Sequence, residues 1–137
     1  MLKKIICVGL CISVLFGVWL NSRTPVFQNY SDTFELYIGS ASSNSKIITV
    51  KKQDFPFVGN IRGESVVLKK DISVIDILSS FNAQLVFTES TAEGVSFYAY
   101  SKNIKYTQNI NDKEVNLHVF VAKEYIKIGS PLIYGSF

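Results

Sequence analysis

The seven residues VNLHVFV, at positions 115–121, alternate between two kinds of side chain and decide the fold of this chain. The odd positions are all aliphatic, and the even positions are Asn116, His118 and Phe120. Because successive side chains of a strand point to opposite faces, this pattern predicts a β-strand whose aliphatic face lies on a core. Such a strand needs neighbours in a sheet, and the sequence on either side of it supplies them.

The residues around this stretch predict an antiparallel sheet. Residues 95–101 alternate in the same way. Further strands are predicted at residues 34–38, 46–52, 65–70, 84–89, 114–123 and 125–135, the last interrupted at Pro131. Residues 62–64 are predicted to form a bend, and residues 102–113 a longer connection with room for a short strand at 104–107. Short turns join most of these strands, which favours antiparallel pairing.

One amphipathic helix is predicted between the strands. Asp71 is a good N-cap residue, and the helix is expected to end near Asn82. The apolar stripe at helical spacing consists of Ile75, Leu78 and Phe81, widened by Val74 and Ile77. A single helix that covers one face of an antiparallel sheet gives residues 33–137 an α+β fold.

The second face of the predicted sheet carries aromatic and polar side chains and almost no charge. These residues are Tyr98, Tyr100, Asn116, His118 and Phe120. Exposed aromatic surfaces often mark contact sites, so the pattern predicts that this face binds a protein or a cell-envelope component. The alternative interpretation is that residues 33–70 fold over the face and bury it.

The first 23 residues have the layout of an export signal. Lys3 and Lys4 precede sixteen uncharged residues at positions 5–20, and Arg23 follows them. As a helix this run would be about 24 Å long at ~1.5 Å per residue, a little short of the ~30 Å hydrocarbon core of a bilayer. We therefore predict a signal anchor that crosses the cytoplasmic membrane once, with the N-terminus inside. The membrane segment includes Ile5, Leu10, Leu15 and Leu20.

A cleaved signal peptide is the alternative, and the domain would then be secreted. The best small-x-small site places Leu20 and Ser22 in the two small positions, where leucine is too large. Cys7 and Cys11 follow large aliphatic residues, unlike a lipoprotein cysteine. Both interpretations place a linker at residues 24–32 and a domain at residues 33–137 outside the cytoplasmic membrane.

The charge distribution argues against nucleic-acid binding. Three of the 14 Lys and Arg residues lie in the leader, so 11 remain beyond it, where they balance all 11 Asp and Glu residues. Residues 24–137 are therefore formally neutral, whereas a nucleic-acid-binding domain normally has a basic face.

The sequence lacks the residues for most catalytic and metal chemistry. Both cysteines lie in the leader, and His118 is the only histidine, so no metal site or cofactor is predicted. We expect a domain that is not an enzyme. Two alternatives stay open: a small hydrolase that uses His118 as a base, and a structural subunit of a membrane complex held through its N-terminal helix.

The second half of the chain resembles the YwmB-like family. The resemblance rests on the predicted helix, YAYS at 98–101, VNL at 115–117 and IGSPLI at 128–133. It implies an exported protein of Gram-positive bacteria with a fold similar to the TATA-box-binding protein and no established enzymatic activity. The chain departs from the family pattern at two positions. Lys102 stands where the family has a proline after Ser101, and His118 stands where the family has a glutamine.

Overall fold

The structure, a computed structural model, is built around one antiparallel sheet, and it describes residues 9, 11–15, 24–39, 46–56 and 60–135. The strands are β1 Thr33–Ile38, β2 Lys46–Lys51, β3 Ile61–Lys69, β4 Ala83–Ser90, β5 Gly94–Ser101, β6 Gln108–Ile110, β7 Lys113–Val115, β8 Leu117–Ala122 and β9 Tyr125–Ser130. A 3₁₀ helix, Lys52–Asp54, follows β2, and the α-helix α1 spans Val74–Ser80.

The strand order explains how the two halves of the chain join. Seven strands form one sheet in the order β2-β1-β3-β9-β8-β5-β4, with every neighbouring pair antiparallel, and β6 pairs with β7 separately. From β3 near the middle, α1 carries the chain to β4 at one edge. Strands β4, β5, β8 and β9 then return to β3. This is the mixed α+β arrangement that the alternating sequence patterns predict.

The main core lies between the sheet and α1, on what we call the helix face. Its buried strand residues include Phe34, Leu36, Val66, Leu68, Leu117, Val119, Ile126 and Ile128.

The predicted helix is partly wrong, both in its first residue and in its apolar stripe. The helix begins after Ser73, whose Oγ accepts a hydrogen bond from Asp76 N at 3.0 Å, and not after Asp71. Ile77 is its fully buried residue, whereas Ile75 is 75% exposed because it points away from the sheet.

Three further strand predictions need correction. The bend expected at residues 62–64 lies inside β3. The strand expected at residues 114–123 is divided into β7 and β8 at Asn116, whose main-chain N–H donates to Ala99 O. The short strand of the long connection lies at β6, Gln108–Ile110, and not at residues 104–107.

Most of the predicted membrane segment lies outside the described residues, including Ile5, Leu10 and Leu20. Gly9 and residues 11–15 are helical, and Leu15 is 69% exposed. Among the residues that the structure describes, no helix is long and apolar enough to cross a membrane.

Residues 24–32, predicted as a linker, contribute to the core. Phe27 is fully buried, and its ring lies edge-on to that of Phe81 with centroids 5.6 Å apart. Its main-chain N–H donates to Oε1 of the fully buried Glu64 at 3.1 Å. Tyr30 stacks on the Phe81 ring, with centroids 5.7 Å apart. The segment is therefore fastened across the helix face by an aromatic cluster and a buried carboxylate.

We predict that Phe27→Ala lowers the free energy of unfolding by about 3–5 kcal/mol, because it leaves a cavity in the core. The matched control is Gln28→Ala, at an exposed position where surface substitutions change stability by less than about 0.5 kcal/mol. Denaturant unfolding followed by far-UV circular dichroism measures both variants. Equal stability of the two would mean that residues 24–32 do not pack on the domain.

Candidate functional site

The candidate binding residues lie largely on the sheet face opposite α1, which we call the far face. The β5–β8 register places Tyr98 beside His118 and Ser96 beside Phe120. The rings of Tyr98 and His118 are stacked, with centroids 4.4 Å apart and planes 20° apart. The sequence therefore predicts correctly that these side chains share a face, while the register adds which of them are neighbours.

Exposure divides the five predicted residues into two groups. His118 is 2% exposed, and Phe120 and Asn116 are fully buried. Tyr98 and Tyr100 are half-buried and keep part of their surface in contact with solvent. The five residues therefore do not form one continuous open surface.

Among the described residues, Ile133 provides part of the cover over His118 and Phe120. After the cis peptide bond Ser130–Pro131, the chain folds back over the far face, and Ile133 packs on Phe120. The main-chain N–H of Ile133 donates to His118 Nδ1 at 3.3 Å. A Cβ at Gly129 would lie 2.7 Å from Ile133 Cγ1, so this close approach requires glycine.

Asn116 has a structural role. Its Oδ1 accepts from Ser101 N at 2.7 Å, and its Nδ2 donates to Ser101 O at 2.7 Å and to Ile104 O at 3.0 Å. These three hydrogen bonds satisfy both ends of the buried amide. They fasten the connection after β5 to the start of β8. All of these hydrogen bonds go to main-chain atoms, so the side chain stabilises the main chain of this connection.

The surroundings of His118 determine its proton positions. Because Nδ1 accepts from Ile133, the proton of the neutral ring lies on Nε2, which donates to Ser96 Oγ at 3.1 Å. Burial lowers the pKa of His118 from 6.5 to about 4, because the charged ring would lose its hydration. The ring is therefore neutral at pH 7.

This arrangement does not favour catalysis by His118. A base for Ser96 would need an unprotonated Nε2, but that nitrogen carries the proton here. Ser96 is also only 3% exposed, which leaves an incoming substrate little access. The geometry supports a structural role, in which the ring joins β5, β8 and the end of the chain.

An aromatic row continues from His118 to the β4 edge of the sheet. Phe87 stacks on Tyr98, with centroids 4.3 Å apart and planes 17° apart. The Tyr98 hydroxyl donates to Glu89 Oε2 at 3.0 Å, and burial together with this carboxylate raises the pKa of Tyr98. Lys113 Nζ lies 5.4 Å from the centre of the Phe87 ring, within cation–π range.

Sequence reasoning misses Phe87 and Ile133 as parts of this face. A signal for Phe87 exists, because a short turn between the predicted strands 84–89 and 95–101 favours their pairing, and an aromatic residue on one strand would then stack on its cross-strand neighbour. Ile133 gives no such signal, since nothing local shows that the residues after Pro131 fold back over the sheet.

No metal site is evident in the described part of the chain, where no three His, Cys, Asp or Glu side chains come together. Comparison with known protein families, curated proteins and solved structures finds no match to this chain.

We predict that His118 makes stability depend on pH. Between pH 6.5 and about 4 the unfolded chain binds a proton at His118 that the folded protein excludes, so stability falls as the pH falls through this window. The full loss is about 3 kcal/mol. The variant His118→Gln, which keeps a donor and an acceptor, should lack this contribution. Unfolding measured at several pH values tests the difference, and parallel curves for the two proteins would contradict it.

Proposed function

We propose that this chain is a non-enzymatic, membrane-anchored extracytoplasmic domain that binds a protein or cell-envelope component through its far face. The leader, residues 1–23, would anchor it, with the N-terminus inside the cytoplasmic membrane. If the leader is cleaved, the same domain is secreted. The proposed contact residues are Tyr98 and Tyr100 together with Phe87. The buried His118 stacks on Tyr98, and the buried Phe120 packs with Ile133, so neither is proposed as a contact residue.

The half-exposed aromatic row carries this proposal. Phe87 and Tyr98 both keep solvent-accessible surface while stacked in a fixed geometry. Aromatic side chains contribute strongly to interfaces, and rings that are already ordered lose little conformational entropy on binding. Tyr98 stacks on His118, and His118 is hydrogen-bonded to Ser96. These contacts hold the row in place before any partner arrives.

The alternatives have weaker support. The hydrolase interpretation depends on His118, whose proton lies on the wrong nitrogen for activating Ser96. A structural subunit held only by its N-terminal helix would not require an aromatic row on the far face of the sheet. The resemblance to the YwmB-like family is compatible with an α+β domain of this kind, and membership of that family remains part of the proposal.

The location can be tested by labelling with a membrane-impermeant maleimide. Residues 24–137 contain no cysteine, so Glu93→Cys in a chain with Cys7→Ser and Cys11→Ser provides one reactive thiol in an exposed turn. We expect full labelling on intact cells. In the same background, Leu2→Cys should be labelled only after lysis. Labelling of Glu93→Cys only after lysis would contradict the proposed location, and the intact mass of the mature protein distinguishes an anchor from a cleaved signal.

The binding face can be tested by photo-crosslinking in intact cells. A benzophenone amino acid at position 100 should capture a defined partner, whereas the same group at Tyr106, which is 44% exposed in the connection after β5, should not. Tyr98→Leu should reduce capture from position 100, because it removes the ring that Phe87 stacks on. Equal capture from positions 100 and 106 would show that the far face is not the binding surface.

A further inference from the structure

A second, chemically different region of the far face lies on strands β1, β2 and β3. It is a cavity of about 180 Å³ lined by side chains that include Thr33, Glu35, Thr49, Ser65 and Val67. At ~30 Å³ per water molecule this volume holds about six waters, which is close to the size of a single sugar ring.

Glu35, which lines this cavity, forms an ion pair beside it. Lys127 Nζ lies 2.7 Å from Glu35 Oε2, although the Lys127 side chain is only 11% exposed. Ser65 Oγ donates to the same carboxylate oxygen at 3.1 Å, and the Tyr37 hydroxyl lies 3.0 Å from Ser65 Oγ. The network crosses three strands, from β9 over β3 to β1.

Stability alone does not explain this network. Replacing a buried ion pair by apolar residues is often neutral or stabilising, because each charge loses its hydration. Glu35 is 34% exposed, so its carboxylate can still accept hydrogen bonds from a ligand.

The chemistry of the lining indicates an uncharged ligand with several hydroxyl groups. The charge of Lys127 compensates that of Glu35, so neither a cation nor an anion meets an unbalanced opposite charge. Thr33 and Thr49 add hydroxyl groups that can donate and accept. Val67, which is 54% exposed, provides an apolar wall for the C–H groups of a ring.

We propose that this cavity binds one neutral sugar ring of an envelope glycan. The inference rests on the proposed extracytoplasmic location, and it names the chemical class of ligand that the far face recognises. The aromatic row and the sugar cavity are then two parts of one binding face, the first near β4 and the second near β1.

The first test is a titration of the full-length, ¹⁵N-labelled protein in detergent micelles with glucose, followed by NMR. Saturable shifts are expected at the amides of residues 33, 35, 49, 65 and 67. Thr49→Val, an isosteric change at an exposed position, should weaken binding about fivefold, the effect of one lost hydrogen bond. The control Thr88→Val, at an exposed position on the opposite edge strand, should bind like the wild type.

The second test changes the charge balance of the cavity and compares three versions of the same ring: glucose, protonated glucosamine and glucuronate. The wild type should bind glucose at least as well as either charged sugar. Glu35→Gln leaves the Lys127 charge uncompensated and should shift the preference toward glucuronate. Lys127→Met leaves the Glu35 charge uncompensated and should shift it toward glucosamine.

Three results would overturn this inference: no saturable shifts with glucose, equal binding by wild type and Thr49→Val, or charge variants whose preferences do not move in opposite directions. The Thr49→Val comparison stands even if a charge variant fails to fold. Maleimide labelling tests the location independently. A domain that is labelled on intact cells but does not bind glucose refutes the sugar cavity alone, whereas labelling only after lysis refutes the proposed location.

Discussion

The pairing of β3 with β9 is the contact on which the rest of the structure depends. It joins Glu64 to Ser130 at one end and Lys69 to Tyr125 at the other, between segments that are far apart in the chain. Without it, the sheet would separate into β2-β1-β3 and β9-β8-β5-β4. The ion pair between Lys127 and Glu35 also crosses this junction. Bringing such distant segments together costs conformational entropy of the intervening chain. Burial of the hydrophobic face beneath the pairing must compensate for this cost.

The features that the sequence predicts correctly are local. The β1–β2 and β4–β5 hairpins follow from alternating patterns joined by turn residues, and α1 follows from helical spacing. Residues 62–64 are predicted to form a bend, but they lie inside β3. The structure shows long-range contacts for two of these residues. A Cβ at Gly63 would lie 2.8 Å from Ser130 O, and the buried carboxylate of Glu64 accepts a hydrogen bond from Phe27 N.

The candidate site shows the same division. Alternation places Tyr98, His118 and Phe120 on one face, and the observed register agrees. Alternation carries no information about exposure. The exposure of Phe120 depends in part on Ile133, which reaches the face only after the chain folds back. Alternation also fails at Asn116, where the residue leaves the ladder to bind the main chain of Ser101 and Ile104. Periodicity predicts the direction of a side chain but not the long-range contacts that cover it.

The far face also combines two kinds of surface chemistry in one sheet. Near β4, ordered rings provide apolar surface with a lysine and a carboxylate at the rim. Near β1, a compensated ion pair and hydroxyl groups provide hydrogen bonds without net charge. Residues 131–134 lie over the same face and pack on both sides: Ile133 contacts Phe120, and the Tyr134 ring lies 4.7 Å from that of Tyr37.

The burial of Phe27 limits how far the domain can move from an anchor. Four Cα–Cα steps separate it from Arg23, and at ~3.6 Å each they span at most about 14 Å. With the leader in a bilayer, the domain would therefore stay close to the lipid surface. It would contact only ligands in a thin layer next to that surface. Ligands in that layer would meet it at high effective concentration, so even weak sites could stay occupied.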